Sequence, residues 1–144
     1  MKPYACYDNS GKYVVVGTCE SDLTSYDIPD GCSVYYGSAS IITQYHDIAT
    51  DTPTDKGDPP TPDGYKFDYV SKTWEPDLPY LEYKTKSIRG QLLLDSDWTD
   101  TLSAKDRLGQ ALYDQWQAYR QSLRDITAQP GYPLNIVWPT PPTA

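Results

Sequence analysis

The spacing of apolar residues toward the C-terminal end constrains this chain more than any other feature. Leu108, Leu112, Trp116, Tyr119, Leu123 and Ile126 recur at intervals of 4, 4, 3, 4 and 3 residues. Those intervals put all six side chains on one side of an α-helix and leave the other side polar. A strand would scatter them over both faces. The spacing predicts a helix from an N-cap at Ser103 to about Asp125, with Asp106 at the third helical position in a weak capping-box arrangement. A shorter helix is expected over 84–97, where Ile88 and Leu92 share a face and Leu93 lies beside them. Gly90 weakens its middle by about 1 kcal/mol relative to Ala, so a close backbone contact is the expected reason for it. Joined by a short connection, the two helices should pack as a hairpin. Beyond Gly131, Pro133, Pro139, Pro141 and Pro142 bar a further helix, and Ile136, Val137 and Trp138 are apolar enough to pack back on the hairpin.

The front of the chain follows a different rule. Lys12-Tyr13-Val14-Val15-Val16 is rich in β-branched and aromatic residues, preceded by the turn signal Asn9-Ser10-Gly11 and followed by Gly17. Ser33–Tyr36 follows a second turn signal, Pro29-Asp30-Gly31, and Ser40–Tyr45 suits a third strand. Turns about every ten residues predict a small antiparallel meander over 1–46. Residues 47–64 are dense in Pro, Gly, Asp and Thr and read as an exposed linker. Tyr65-Lys66-Phe67-Asp68-Tyr69 alternates aromatic and polar residues, and with Trp74 it predicts a β-hairpin. Pro76 and Pro79 are expected to end regular structure. The fold class is therefore α+β: a domain over 1–46, a linker over 47–64, and a hairpin plus helical module with a packed Pro/Trp tail over 65–144.

Charge separates the same two parts. Residues 1–80 carry 13 Asp/Glu against 5 Lys/Arg, whereas 81–144 carry 7 of each, so the net charge of −8 lies in the front. An acidic front argues against nucleic acid and against anionic membrane surfaces, which both call for a basic face. No apolar signal core opens the sequence and no run reaches bilayer length, so a cytosolic setting is expected. Eleven of the 14 Tyr fall at or before Tyr83. A thin meander cannot hide them all, and tyrosine is favoured at protein interfaces. Tyr13, Tyr35, Tyr36 and Tyr26 are the candidate partner anchors. Alternation would put Tyr35 and Tyr36 on opposite sheet faces.

Constellations with chemistry are sparse. Cys6, Cys19 and Cys32 number three, which excludes a full disulfide framework. They lack a paired C-x-x-C unit, so free thiols are expected and no metal is assigned. Asp95, Asp97, Thr99 and Asp106 fall on calcium-loop positions, but Asp100 stands where that loop needs Gly and Asp106 where it needs Glu. The single histidine, His46, reads as a surface residue at the edge of the linker. No nucleophile elbow, phosphate loop or H-E-x-x-H motif is present, so no catalytic residue, cofactor or metal is expected. One of Arg89, Arg120 or Arg124 is expected to bracket Asp97 and fix the corner between the helices.

Three blocks carry a family resemblance. Arg89 through Thr99 reads R-x-x-L-L-x-x-S-D-W-T, with Arg89, Leu92, Leu93, Asp97 and Trp98 at its marked positions. Trp116 through Ile126 reads W-x-x-Y-R-Q-x-L-R-D-I, which includes Tyr119, Arg120, Leu123 and Arg124. Gly131-Tyr132-Pro133 and Trp138-Pro139 follow. In this order the blocks resemble the C-terminal module of bacteriophage tail fibre assembly proteins, over roughly 60–142. The resemblance implies a chaperone, not an enzyme, working in the host cytoplasm. Its implied partner is a tail fibre protein, at the trimeric C-terminal tip, whose folding and trimerisation it assists. A second expectation is a structural virion component, a minor fibre or baseplate protein kept at the fibre tip. An enzyme acting on glycan is the weakest of the three. The motif residues look like scaffold, which leaves partner choice to residues 1–45, where no family pattern is seen.

Overall fold

The computed structural model describes residues 1–61 and 63–143. It is α+β, with antiparallel strands in the N-terminal part of the sequence and helices in the C-terminal part. The chain divides into two compact units, Met1–Glu75 and Pro76–Ala144.

The first unit is built from three small sheets. Strand β1 (Lys2–Tyr7) is central, flanked by β2 (Tyr13–Cys19) and the short β3 (Ser33–Tyr35), all antiparallel. The β1–β2 hairpin closes around Asp8, whose carboxylate accepts from the Ser10 backbone and hydroxyl and from Lys12 N–H. These bonds hold its carboxyl below the usual range against the opposing effect of burial, which is the largest single influence on it. Strands β4 (Gln44–Asp47) and β5 (Thr52–Asp55) form a second hairpin, and β6 (Tyr65–Asp68) and β7 (Thr73–Pro76) a third.

Three features here differ from the sequence expectation. Ser40–Thr43 is a turn, and the third strand begins only at Gln44. The Ser40 hydroxyl accepts from Thr43 N–H and the Ser40 N–H donates to Gln44 Oε1, a local bonding pattern that competes with a ladder. The segment expected as a linker over 47–64 contains β5. Pro53 is tolerated there because β5 is paired on one side alone, with Pro53 opposite His46. The tight return is made by Asp51, which takes the left-handed conformation (φ 55°) that Asp adopts more readily than most residues. The Tyr65–Trp74 hairpin falls inside the first unit, whereas the sequence grouped it with the helices.

The second unit contains α1 (Leu78–Asp95), a 3₁₀ turn over Asp97–Asp100, α2 (Leu102–Leu108), α3 (Gln110–Arg124) and a second 3₁₀ turn over Asp125–Ala128. Helix α1 starts six residues earlier than expected. Pro79 lies in its first turn, where a missing N–H costs nothing, and Asp77 caps it by accepting from Tyr80 N–H. The long second helix is broken in two at Gly109, whose φ of 74° and ψ of 159° lie outside helical space and suit glycine. The N-cap of α2 is Thr101, not Ser103. Space beside Gly90 is open, so no close contact within the described residues accounts for it.

Leu123, Ile126 and Tyr119, from the predicted stripe, are buried together with Ala104. Leu112, Trp116 and Trp138 are half-buried. Trp98 does not enter the core: it is 43% exposed, with its ring edge-on to Trp116 at 5.4 Å. Leu123→Ala should destabilise the chain by about 2–5 kcal/mol, and Leu102→Ala, at a fully exposed position, by under about 0.5 kcal/mol. Urea unfolding followed by Trp fluorescence measures both.

Candidate functional site

In the helical unit, the motif residues converge on one guanidinium. The C-terminus of α1 leaves carbonyls without intrahelical partners. Arg120, reaching over from α3, donates through Nη1 to the Leu93 carbonyl at 2.7 Å and to Ser96 Oγ at 2.8 Å. Its Nη2 meets Asp97 Oδ1 at 2.9 Å and Asp100 Oδ2 at 2.8 Å. A cation at this end of a helix is also favoured by the helix dipole. Ser96 caps α1 and donates its hydroxyl back to Leu92 and Leu93, while Thr99 Oγ1 donates to the Ser96 carbonyl. Of the three candidate arginines, Arg120 brackets Asp97. Arg124 lies 3.8 Å from Asp100 at the rim. Among the described residues, Arg89 has no ion-pair partner and its buried Nε has no hydrogen-bond partner. Arg120 is 5% exposed, so the S-D-W-T block and the second block form one structural corner with little polar surface to offer.

Aromatic residues line the side of that corner. Trp98, Trp116 and Tyr119 meet edge-on in sequence, with centroids 5.4 and 5.6 Å apart. A shallow cavity of about 220 Å³ lies beside them, lined by Leu92, Asp95, Ser96, Trp116, Tyr119 and Pro141. Pro141 of the tail forms one wall, whereas Val137, expected to pack back on the helices, is 77% exposed.

In the first unit, the interior is polar and aromatic. His46, expected at the surface, is fully buried. It stacks on Tyr7 at 3.7 Å, with Tyr13 and Tyr35 at 5.9 and 5.4 Å. Its Nε2 meets Asp51 Oδ1 at 2.9 Å and its Nδ1 meets the Tyr13 hydroxyl at 3.1 Å. A carboxylate only accepts, so Nε2 donates to Asp51, and in the neutral ring Nδ1 accepts from Tyr13. His46 N–H also donates to the Gly11 carbonyl at 2.8 Å. This pins β4–β5 to the first sheet. The Asp51–His46–Tyr13 chain superficially resembles a catalytic relay, but Tyr13 is buried and offers no atom to a substrate. Lys56 does the same structural task farther on. It donates to the carbonyls of Ile41 and Ile42 and to the Tyr69 hydroxyl, at 2.9, 3.0 and 2.7 Å. Phe67 packs among Tyr45, Tyr69 and Trp74.

The expected tyrosine anchors therefore separate. Tyr13 is interior and cannot serve as an exposed anchor. Tyr35 is half-buried against His46, and its ring occupies the space a side chain at Gly37 would need. Tyr36 is half-exposed, with its hydroxyl accepting from Leu23 N–H at 2.8 Å and the Lys2 ammonium 4.7 Å above its ring. Tyr26 is 99% exposed. It stands on a turn closed by Asp27, whose carboxylate accepts from the Thr24 backbone at 2.9 Å and hydroxyl at 2.7 Å. Those bonds lower the Asp27 carboxyl and stiffen the turn under the exposed ring. The burial of His46 was not legible because its partners are Tyr7 and Tyr13, more than 30 residues away in sequence. The alternation of Tyr7 and Tyr13 about the Asn9-Ser10-Gly11 turn was the one usable signal.

All three cysteines are free thiols, with Cys6 buried and its thiol pushed up by desolvation and by nearby Cys32. Among the described residues, no group of three or more His, Cys, Asp or Glu is placed to hold a metal ion. No helix there is long and apolar enough to cross a membrane.

Two measurements test this geometry. Arg120→Met should cost about 1–3 kcal/mol, because it removes the buried bonds from the guanidinium to the Leu93 carbonyl and Ser96 Oγ, whereas Asp97→Asn at the exposed rim should cost under about 1 kcal/mol. Burial pushes the Tyr13 hydroxyl up to about 12 from its ordinary 10. Between those values the unfolded chain has released a proton that the folded chain retains, so stability should fall as pH rises through that window. Tyr13→Phe should flatten that decline in urea titrations.

Residues 83–143 match the model of a family described as phage tail assembly chaperone protein. Neither the curated proteins nor the solved structures yield a match.

Proposed function

We propose, from the match of residues 83–143 to the phage tail assembly chaperone family, that this chain is a fibre-specific assembly chaperone. A role in phage tail assembly comes from the family itself. The finer reading is that the chain covers the distal end of a trimeric tail fibre while its three chains find their register. A fibre end exposes unpaired strand edges and apolar surface until then, and a covering protein suppresses wrong pairing. Its setting is the host cytoplasm during assembly. The family description names an assembly task and no reaction, and we read the chain as non-enzymatic.

The fibre-facing surface is assigned to the first unit. The observation that carries this is the fully exposed Tyr26 on its hydrogen-bonded turn, with Tyr36 and Tyr35 as the accompanying rings. Rigid exposed tyrosines suit interface anchors, because little conformational entropy is lost on docking. The motif blocks of the helical unit are spent on the Arg120 corner, which leaves them as scaffold. The acidic excess of the first unit favours a basic face on the fibre.

Co-expression with a candidate tail fibre gene tests the role: soluble fibre trimers should form with this chain and be lost without it. Equal yields of trimer in both cases would contradict the reading. Tyr26→Ala should weaken fibre binding by about 2 kcal/mol, roughly thirtyfold, with unchanged folding. Surface plasmon resonance on purified fibre tips measures it.

A further inference from the structure

Strand β2 is unlike every other strand edge in the first unit. It is seven residues long, and it is hydrogen-bonded to β1 on one side alone. Between Tyr13 and Cys19 it holds no charge and no proline. Soluble proteins usually blunt such an edge with short length, charge or proline. The other outer strands are blunted in these ways. β3 has three residues, β4 ends in Asp47, β5 carries Pro53 and Asp55, β6 carries Lys66 and Asp68, and β7 carries Glu75 and Pro76. Among the described residues, no backbone group outside β1 bonds to β2 between Tyr13 and Cys19. Val14 and Val16 are 44% and 40% exposed on it.

We infer that β2 pairs edge to edge with β2 of a second copy of this chain, antiparallel about a twofold axis at Val16. The sequence around β2 is self-complementary in that register. Val16 meets Val16, Val14 meets Thr18, Val15 meets Gly17, and Tyr13 meets Cys19. The exposed Lys12 before the strand falls opposite the exposed Glu20 after it, and by symmetry this occurs twice. Among the described residues, Lys12 and Glu20 form no ion pair. The one other ion pair near this edge, Lys2 with Asp22, is satisfied internally. Directly opposed unlike charges support cross-strand pairing, and like charges oppose it. Charge complementarity therefore favours a second copy over an unrelated strand. Pairing would merge two three-stranded sheets into one of six strands and cover the exposed valines with their counterparts. This inference concerns the chain alone and stands apart from any contact with a fibre.

The test is sedimentation equilibrium of the full chain over a range of concentrations. The wild-type chain should pass from its 16.2 kDa monomer mass to twice that value. Lys12→Glu and Glu20→Lys should each weaken self-association about tenfold, since each change creates two like-charge pairs. Mixed together, the two variants should form a heterodimer, because the exchanged charges are again opposite in that pair. The double variant should recover wild-type association. Circular dichroism checks that each variant is folded. A wild-type chain that stays monomeric throughout would overturn the proposal, as would variants that associate like wild type or fail to pair when mixed. Loss of fibre binding by Lys12→Glu in a chain that is always monomeric would assign the edge to a fibre strand, and would also overturn it.

Discussion

The helical unit depends on one guanidinium. Arg120 reaches from α3 to the end of α1 and joins a main-chain carbonyl, a capping serine and two carboxylates. The core beneath is thin: Leu123, Ile126, Tyr119 and Ala104 are its buried apolar residues. With so little apolar area, the angle between α1 and α3 needs a directional constraint as well as burial. A planar cation with its donors in a fixed fork supplies direction that a lysine would not. Most of the contribution comes from the buried Leu93 and Ser96 contacts. The two carboxylates are half-exposed, where solvent screens them.

The first unit applies the same economy with different residues. Among the described residues its buried side chains are Ala5, Cys6, Tyr13 and His46, none of them a large aliphatic one. Polar hubs tie its hairpins together. His46 fixes β4–β5 against the first sheet through Asp51, Tyr13 and Gly11. Lys56 fixes the Ile41–Ile42 turn against Tyr69. Tyrosine suits this design because each ring buries area while its hydroxyl stays bonded or wet. The same residue type then serves outward: the ring of Tyr26 has no interior task and stands on a stiffened turn.

How much of this was legible follows from the range of each interaction. The stripe from Leu112 to Ile126 is local, so period alone located α3 and its buried face. The hairpin around Phe67 was legible for the same reason. The bracket on Asp97 was foreseen in kind but left open among three arginines, because sequence does not say which helix face meets the corner. Gly109 was passed over because the apolar rhythm runs through it, yet its backbone leaves helical space there. Pro79 is expected to end regular structure, and Pro53 lies in the segment expected as a linker. Their actual positions, a first helical turn and an edge strand, are the two places where a missing N–H is tolerated. His46 and Lys56 were missed because their partners are set by tertiary pairing.

The two units divide the work in this account: the helical unit is scaffold and the first unit makes the contact. Hydrogen–deuterium exchange of the full chain, with and without fibre tip, measures that division most directly. The account predicts slowed exchange around residues 23–27 and 35–37 on addition of fibre, with Trp116–Ile126 unchanged. Protection confined to the exposed apolar positions of the helical unit, such as Trp98–Leu102 and Leu134–Val137, would contradict it.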